Sequence, residues 1–167
     1  QQLLARVGDS DWFIGPRYIY FQSDSRFDHE RPRDVAQREL ETRIGMLTLV
    51  VDYDSRDNVF TPNRGSFMEA EFATVREALG ANVEYNYAAV RAFNYTPLGQ
   101  SLVLGLRGDV RSAGNDAPFF ALPYISLRGI PAMRYQDTRT AVVEAEMRWN
   151  LDERWALVGF AGSGKAF

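Results

Sequence analysis

The chain has 167 residues, a formal net charge of −3 and an aromatic content of 13%. This length fits one domain, and the lack of a basic run argues against a nucleic-acid-binding surface. Because the sequence has no cysteine and one histidine, it can form neither a disulfide nor a metal site built from cysteine thiolates or several histidines. We therefore expect no nucleic-acid partner, no metal and no cofactor.

No apolar run approaches the roughly 20 residues of a transmembrane helix. A membrane-spanning β-barrel is compatible with this composition, because its lumen-facing positions are polar and lower the average hydropathy. The chain begins Q-Q-L-L-A-R, without a methionine or a signal peptide. We interpret it as a mature protein or as a piece of a longer one.

Seven segments carry the pattern of β-strands, in which apolar and polar side chains alternate or aromatic residues cluster. In chain order they are residues 12–26, 42–54, 66–75, 82–95, 101–111, 141–150 and 155–162. Residues 28–41 are highly charged and contain Pro32, which predicts a solvated loop. Residues 54–65 are dense in turn formers. The sequence therefore predicts an all-β chain.

One segment divides clearly into two faces. In residues 141–150, Glu144, Glu146 and Arg148 alternate with apolar residues, which predicts one charged and one apolar face. Long connections also alternate with compact turns, as they do in transmembrane barrels. The long ones are residues 28–41 and 112–137, and the compact ones are residues 96–99 and 151–154.

Residues 82–95 also alternate, and a set rich in aromatic side chains shares one face. The set consists of Val83, Tyr85, Tyr87, Ala89, Phe93 and Tyr95. We expect this set to belong to the apolar face, with Arg91 on the wrong side. Periodicity leaves two architectures open, because a soluble lipocalin-like barrel and a transmembrane barrel both alternate.

Within the long connection at residues 112–137, residues 117–137 are too apolar for a loop exposed to water. Three prolines, Pro118, Pro123 and Pro131, exclude a helix or a central strand there. Arg128 lies near its centre and needs a carboxylate partner if it is buried. We expect the neighbouring apolar side chains to be buried, namely Phe119, Phe120, Leu122 and Tyr124.

Near the end of the chain, G-F-A-G-S-G-K-A at residues 159–166 imitates a phosphate-binding loop. The pattern lacks the hydroxyl residue after the lysine, and no helix follows to direct N–H groups at a phosphate. We therefore predict the end of a strand followed by a turn.

Several motifs together point to a family. The loop contains L-R-G-I at residues 127–130, preceded by P-F-F-A-L-P and followed by Y-Q-D. D-S-R-D-N-V-F-T-P-N-R-G-S at residues 54–66, E-M-R at 146–148 and V-G-F-A-G-S-G at 158–164 complete an ordered set over about two thirds of the chain. This set resembles the bacterial surface antigen family, the BamA/TamA-type outer-membrane β-barrels.

The resemblance implies an antiparallel up-and-down transmembrane β-barrel of sixteen strands, of which seven or eight are present here. It implies that residues 1–167 form one β-barrel segment, with a long loop at residues 112–137 that folds inward. In the family the loop arginine pairs with an acidic residue on the next strand and with an aspartate on the strand after that one.

Mapped onto this sequence, the resemblance makes Arg128 and Gly129 the loop motif and Glu146 the first acidic partner. Gly162 occupies the position of the family aspartate, and Glu144 is the substitute carboxylate. The implied family-motif turn comprises Asp54, Arg56, Asp57, Pro62 and Gly65.

The function implied by the resemblance is assembly, insertion or translocation of outer-membrane proteins in a Gram-negative bacterium, without enzymatic activity. The implied partners are outer-membrane lipid, client outer-membrane proteins and periplasmic POTRA modules. Two alternatives stay open: a barrel that anchors or exports a fused passenger such as a lipase domain, and a soluble ligand-binding β-barrel. A segment with unpaired edges could also associate with a copy of itself.

Overall fold

The computed structural model describes residues 1–24 and 41–167. Within them lie eight strands and two short 3-10 helices. The strands are β1 (Ala5–Arg6), β2 (Trp12–Asp24), β3 (Glu41–Asp54), β4 (Gly65–Val75), β5 (Tyr85–Pro97), β6 (Leu102–Ala113), β7 (Arg139–Asn150) and β8 (Ala156–Ala166), and the helices are η1 (Glu77–Leu79) and η2 (Phe119–Ala121). The predicted charged loop at residues 28–41 lies outside the described residues, apart from Glu41 at the start of β3.

All eight strands belong to one sheet, in the order β1 to β8, and every neighbouring pair is antiparallel. This confirms the predicted all-β, antiparallel, up-and-down architecture. Within the described residues the sheet is open, with β1 and β8 as its edge strands. No helix in the described part of the chain is long and apolar enough to cross a membrane.

Strands β2 to β8 lie in the predicted segments, but β3 to β7 differ from them by one to three residues at one or both ends, and β8 continues further than predicted. β5 begins at Tyr85 rather than at residue 82, because the amide of Asn82 bonds to the carbonyl of Arg43 beyond the end of β4. The predicted turn at the end of the chain is wrong. There β8 continues to Ala166, because Gly164 and Ala166 keep their pairing with β7.

The sheet has two chemically different faces. The apolar face carries Leu47, Leu49, Met68, Phe72, Val90, Leu106, Val110, Val143, Met147 and Leu157, and the charged face carries Arg17, Asp52, Glu69, Glu71, Arg91, Arg107, Asp109, Arg111, Glu144, Glu146 and Arg148. Ion pairs join charges on the same face, and Arg91 lies 2.8 Å from Glu69.

The expected face of β5 is wrong. Tyr87 and Phe93 lie on the charged face together with Arg91, which is in register with Glu69 and Asp109. The apolar face of β5 consists of Ala88, Val90 and Ala92. Alternation identifies which residues share a face. On β5, however, the large aromatic rings lie on the same face as Arg91, and the small alanines lie on the opposite face. The aromatic content of a face therefore led to the wrong prediction of which face of β5 is apolar.

Exposure is distributed between the two faces in the opposite way to that of a soluble sheet. Along β3, Leu47 and Leu49 on the apolar face are 42% and 46% exposed, whereas Thr48 and Val50 on the charged face are 1% and 0% exposed. On β7, Val143 of the apolar face is 63% exposed. The apolar face therefore lacks a covering layer within the described residues.

Connections of different length lie at the two ends of the sheet. The end that we call the turn end has residues 7–11, 55–64, 98–101 and 151–155, and the end that we call the loop end has residues 76–84 and 114–138. At the loop end a small core forms around Val75, Ala81, Val83 and Tyr85, and Ala117 and Ala121 pack against it. The connection at residues 114–138, named here the long loop, thus lies against the sheet.

Candidate functional site

The long loop folds back on itself over the charged face. The amide of Ile125 bonds to the carbonyl of Tyr135 at 2.9 Å, and Tyr124 bridges to Gln136. These contacts form a small hairpin within the loop. The side chains at its centre are thereby directed toward β7 and β8.

The expected burial of the four large side chains of the loop is only partly right. Phe119 is 53% exposed, and its carbonyl accepts a hydrogen bond from Gln136 Nε2 at 3.0 Å. The buried residues of the loop are instead Pro118, Pro123 and Ile125. Helix η2 turns the Phe119 ring outward, and the rigid prolines fill the space against the sheet.

Arg128 lies between two carboxylates of β7. Its Nη2 donates a hydrogen bond to Glu146 Oε2 and lies 3.3 Å from Glu144 Oε1. The two glutamates are two residues apart on one strand, so both project from the charged face. The side chain of Glu144 is 6% exposed, that of Glu146 26% and that of Arg128 45%. The loop arginine therefore bridges two carboxylates that the sheet partly buries.

Aromatic rings complete the surroundings of the guanidinium. The Arg128 Cζ lies 4.4 Å from the centre of the Phe160 ring on β8, a cation–π geometry. A cavity of about 50 Å³ adjoins it, lined by Tyr95, Gly105 and the two glutamates among others. The hydrogen bond to Glu146 raises the pKa of Arg128, against the opposing effect of burial.

Gly129 has a conformational role. Its φ angle is +79°, in the left-handed region that side chains with a Cβ rarely adopt, although open space surrounds the position of that Cβ. The glycine therefore lets the backbone reverse directly after Arg128, which brings the guanidinium toward β7.

Gly162 and Gly164 of β8 provide space for the loop. A Cβ on Gly162 would lie 2.7 Å from Leu127 Cδ2, and one on Gly164 would lie 2.8 Å from Ile125 Cγ2. Gly162 is paired with Glu144 in the sheet. The position of the expected aspartate is thus occupied by a loop leucine, and Glu144 on the adjacent strand supplies the second carboxylate.

Sequence reasoning missed this role of the glycines. The available signal was their spacing of two on a strand, which leaves one face without side chains.

The family-motif turn at the opposite end is held by its own side chains. Asp54 accepts hydrogen bonds from Nε and Nη2 of Arg56 at 2.9 and 2.7 Å, and this bonding raises the pKa of Arg56. The Arg56 guanidinium lies 4.6 Å from the centre of the Phe67 ring. Gly65 has φ +100°, and a Cβ there would lie 2.3 Å from the Ser55 carbonyl oxygen. The turn therefore requires glycine at this position.

The side chain of Asp57 forms hydrogen bonds within the same turn. Its Oδ1 accepts hydrogen bonds from the backbone amides of Asn63 and Arg64 at 3.0 and 3.3 Å. These bonds, led by the one from Asn63, lower the pKa of Asp57. The carboxylate thus stabilises the turn in its ionised form.

Arg148 connects this turn to β7. Its Nη2 donates to the carbonyl oxygen of Pro62 at 2.9 Å and to Asn63 Oδ1 at 2.7 Å. Because Arg148 shares a face with Glu144 and Glu146, one face of β7 binds the long loop at one end and the turn at the other. Sequence reasoning placed Arg148 on this face but did not predict its contact, since the two segments are 85 residues apart.

The site offers non-covalent chemistry. It consists of ion pairs, cation–π contacts and backbone capping. Within residues 1–24 and 41–167, no group of three or more acidic or histidine side chains is placed to hold a metal ion.

No protein-family model matches the chain, and a search of curated proteins finds no significant match. The family resemblance drawn from the motifs therefore stays a prediction.

Proposed function

We propose that the chain is part of a transmembrane β-barrel of the BamA/TamA type in the outer membrane of a Gram-negative bacterium. The observation that carries the proposal is the inverted burial of the inner strands: along β3 and β7 the apolar face is the more exposed one, and the charged face is buried or half-buried. In a bilayer the apolar face contacts lipid, and the charged face lines the lumen.

Strand dimensions support this placement. Strands β2 to β8 have 11 to 14 residues, enough for the roughly 9 to 11 residues that a tilted strand needs to cross a bilayer. Aromatic residues at the turn end, Trp12, Tyr53 and Trp149, suit the membrane–water interface. The Trp12 and Tyr53 rings are in contact, with their centres 4.9 Å apart.

The long loop supports the choice of family. It lies on the charged face, and Arg128 contacts Glu146, the residue that the motif comparison pairs with it. In a closed barrel this face is the lumen, so the loop is a lumenal latch. We propose that the eight strands form part of a sixteen-stranded barrel whose other strands pair with the open edges β1 and β8.

The proposed activity is insertion or translocation of outer-membrane proteins. A client strand would pair by backbone hydrogen bonds with an exposed barrel edge, which requires no catalytic side chain. The Arg128 latch would hold the long loop on β7 and β8 while other strands separate. Outer-membrane lipid, client proteins and periplasmic POTRA modules are the proposed partners.

A reconstitution assay tests this function. The full-length protein is placed in phosphatidylcholine vesicles, and folding of an added outer-membrane β-barrel client is followed by protease resistance. We expect folding to be faster than in empty vesicles, and slower with Arg128→Ala than with wild type. Equal rates in empty and loaded vesicles would contradict the assembly role and favour an anchor for a passenger domain.

A further inference from the structure

Two basic side chains lie on the apolar face at the loop end. Arg139 begins β7, and Lys165 lies near the end of β8. Arg139 pairs with Phe167 through two backbone hydrogen bonds of 3.1 and 2.9 Å, and Lys165 pairs with Ala141. Arg139 and Lys165 are therefore diagonal neighbours, roughly 7 to 8 Å apart at the backbone. One phosphate group can contact both.

Neither cation forms an ion pair with any described residue. On the charged face, by contrast, Arg17, Arg91, Arg111 and Arg128 all contact carboxylates. Both Arg139 and Lys165 are exposed. Their charges are available to an external anion.

A concave surface adjoins the pair on the same face. A cavity of about 990 Å³ runs across the strands, with Leu49 and Phe72 lining it on β3 and β4, and Ser112 and Arg139 lining it on β6 and β7. Its β3–β4 side is apolar, and its β6–β7 side is polar and basic. This arrangement matches an amphiphile with an anionic head.

The distribution of charge along the apolar face gives the direction of such a ligand. Its loop end carries Arg43 as well as Arg139 and Lys165, whereas the described strands present aromatic rings and no basic side chain on this face at the turn end. Basic residues at one membrane boundary attract anionic headgroups.

We propose that Arg139 and Lys165 bind the phosphate of an anionic lipid whose acyl chain lies on Leu47, Leu49 and Phe72. This site rests on the proposed membrane placement and adds a lipid specificity to it. Charge complementarity selects an anionic lipid over a zwitterionic one, because no carboxylate of residues 1–24 or 41–167 forms an ion pair with either cation.

Tryptophan quenching by brominated lipids tests the site. In the full-length protein every native tryptophan is replaced by phenylalanine, and Phe167→Trp places one reporter between the two cations. The protein is reconstituted in phosphatidylcholine, and brominated phosphatidylglycerol or brominated phosphatidylcholine is added. We expect the reporter to bind phosphatidylglycerol preferentially, and each of Arg139→Gln and Lys165→Gln to reduce that preference roughly fivefold.

Arg154→Gln is the matched control, because it removes the same charge from the exposed turn between β7 and β8. It should leave the preference unchanged, and Arg139→Lys should retain most of it. Equal quenching by both lipids, unchanged in the double variant, would overturn the site and leave the membrane placement intact. The absence of quenching by either lipid would instead contradict that placement.

Two further outcomes would also overturn the lipid site. Displacement of the brominated phosphatidylglycerol by an equal concentration of inorganic phosphate would be the first, because it would show that the pair binds phosphate itself. The second would be a change of oligomeric state in the variant that combines Arg139→Gln with Lys165→Gln, with its lipid preference unaltered. That result would show that Arg139 and Lys165 form a contact between copies of the chain.

Discussion

Leu127 of the long loop occupies the space that a side chain on Gly162 would need, with its Cδ2 2.7 Å from the position of a Cβ on Gly162. The glycine and the leucine are therefore a complementary pair across two separate segments. This contact explains how the loop lies flat on β8 while Arg128 reaches the carboxylates of β7.

Gly162→Asp should loosen the long loop, although it introduces the residue that the family motif has at this place. The new Cβ would meet Leu127, and overpacking of this kind costs roughly 1 to 3 kcal/mol. Limited proteolysis of the folded protein should show faster cleavage within residues 114–138. Adding Leu127→Ala should restore much of the resistance, and a double variant no better than Gly162→Asp alone would contradict the contact.

Glu146→Ala should also expose the loop, because Arg128 loses its hydrogen-bonded partner. Arg128 is 45% exposed, so solvent screens the pair and we expect only about a fivefold rise in loop cleavage. Glu144→Ala should have a further effect in the double variant. Glu153→Ala, on the exposed turn between β7 and β8, is the control, and an equal effect of that variant would count against the latch.

Gly129→Ala should destabilise the loop through its backbone alone. The left-handed conformation costs a residue with a Cβ roughly 1 to 2 kcal/mol, although the space around it is open. Gly108→Ala is a matched control, because open space also surrounds its Cβ and its φ is not in the left-handed region. Hydrogen exchange of the loop amides should increase for the first variant only. Similar exchange in both variants would be evidence against strain at residue 129.

Arg148→Gln should release the family-motif turn from β7. The guanidinium makes two hydrogen bonds to Pro62 and Asn63, and at about 1 kcal/mol each their loss corresponds to roughly tenfold or more faster opening. Hydrogen exchange of the backbone amides within residues 55–64 measures this opening of the turn. Arg154→Gln leaves these two hydrogen bonds in place and is the control. If it increased exchange in residues 55–64 equally, the predicted role of Arg148 in holding the turn would be wrong.

The turn should also respond to pH through Asp57. Backbone hydrogen bonds lower the pKa of this carboxyl in the folded turn, so its contribution is fully present above its ordinary pKa. That contribution is lost as the pH falls through the lowered folded value. Amide exchange of Asn63 and Arg64, corrected for intrinsic rates, should rise in that acidic range. Asp57→Asn should remove the pH dependence of this exchange. If the pH dependence persisted in the Asp57→Asn variant, another titrating group would be responsible for it.

The strands could be predicted from the sequence because side-chain alternation and turn-forming residues are local signals. The prediction failed on β5, where large rings accompany Arg91 and only the register with Glu69 and Asp109 identifies the charged face. That Arg128 needs a carboxylate partner was predictable, because it lies among apolar residues, and the family resemblance implied that the partner is Glu146. The contacts of Gly162 with Leu127 and of Arg148 with Asn63 were not, because both depend on how distant segments meet.

A nitroxide scan along β5 tests the membrane placement most directly. The chain has no cysteine, so single cysteines can be introduced from residue 85 to 97 and labelled in the full-length protein reconstituted in vesicles. Labels at Val90 and the other apolar-face positions should be accessible to oxygen dissolved in lipid. Labels at Ala89 and its charged-face neighbours should be accessible to a water-soluble relaxation agent, or shielded by the long loop. A period-two alternation in this sense is the predicted result, and accessibility of the Val90 face to the water-soluble agent would contradict it.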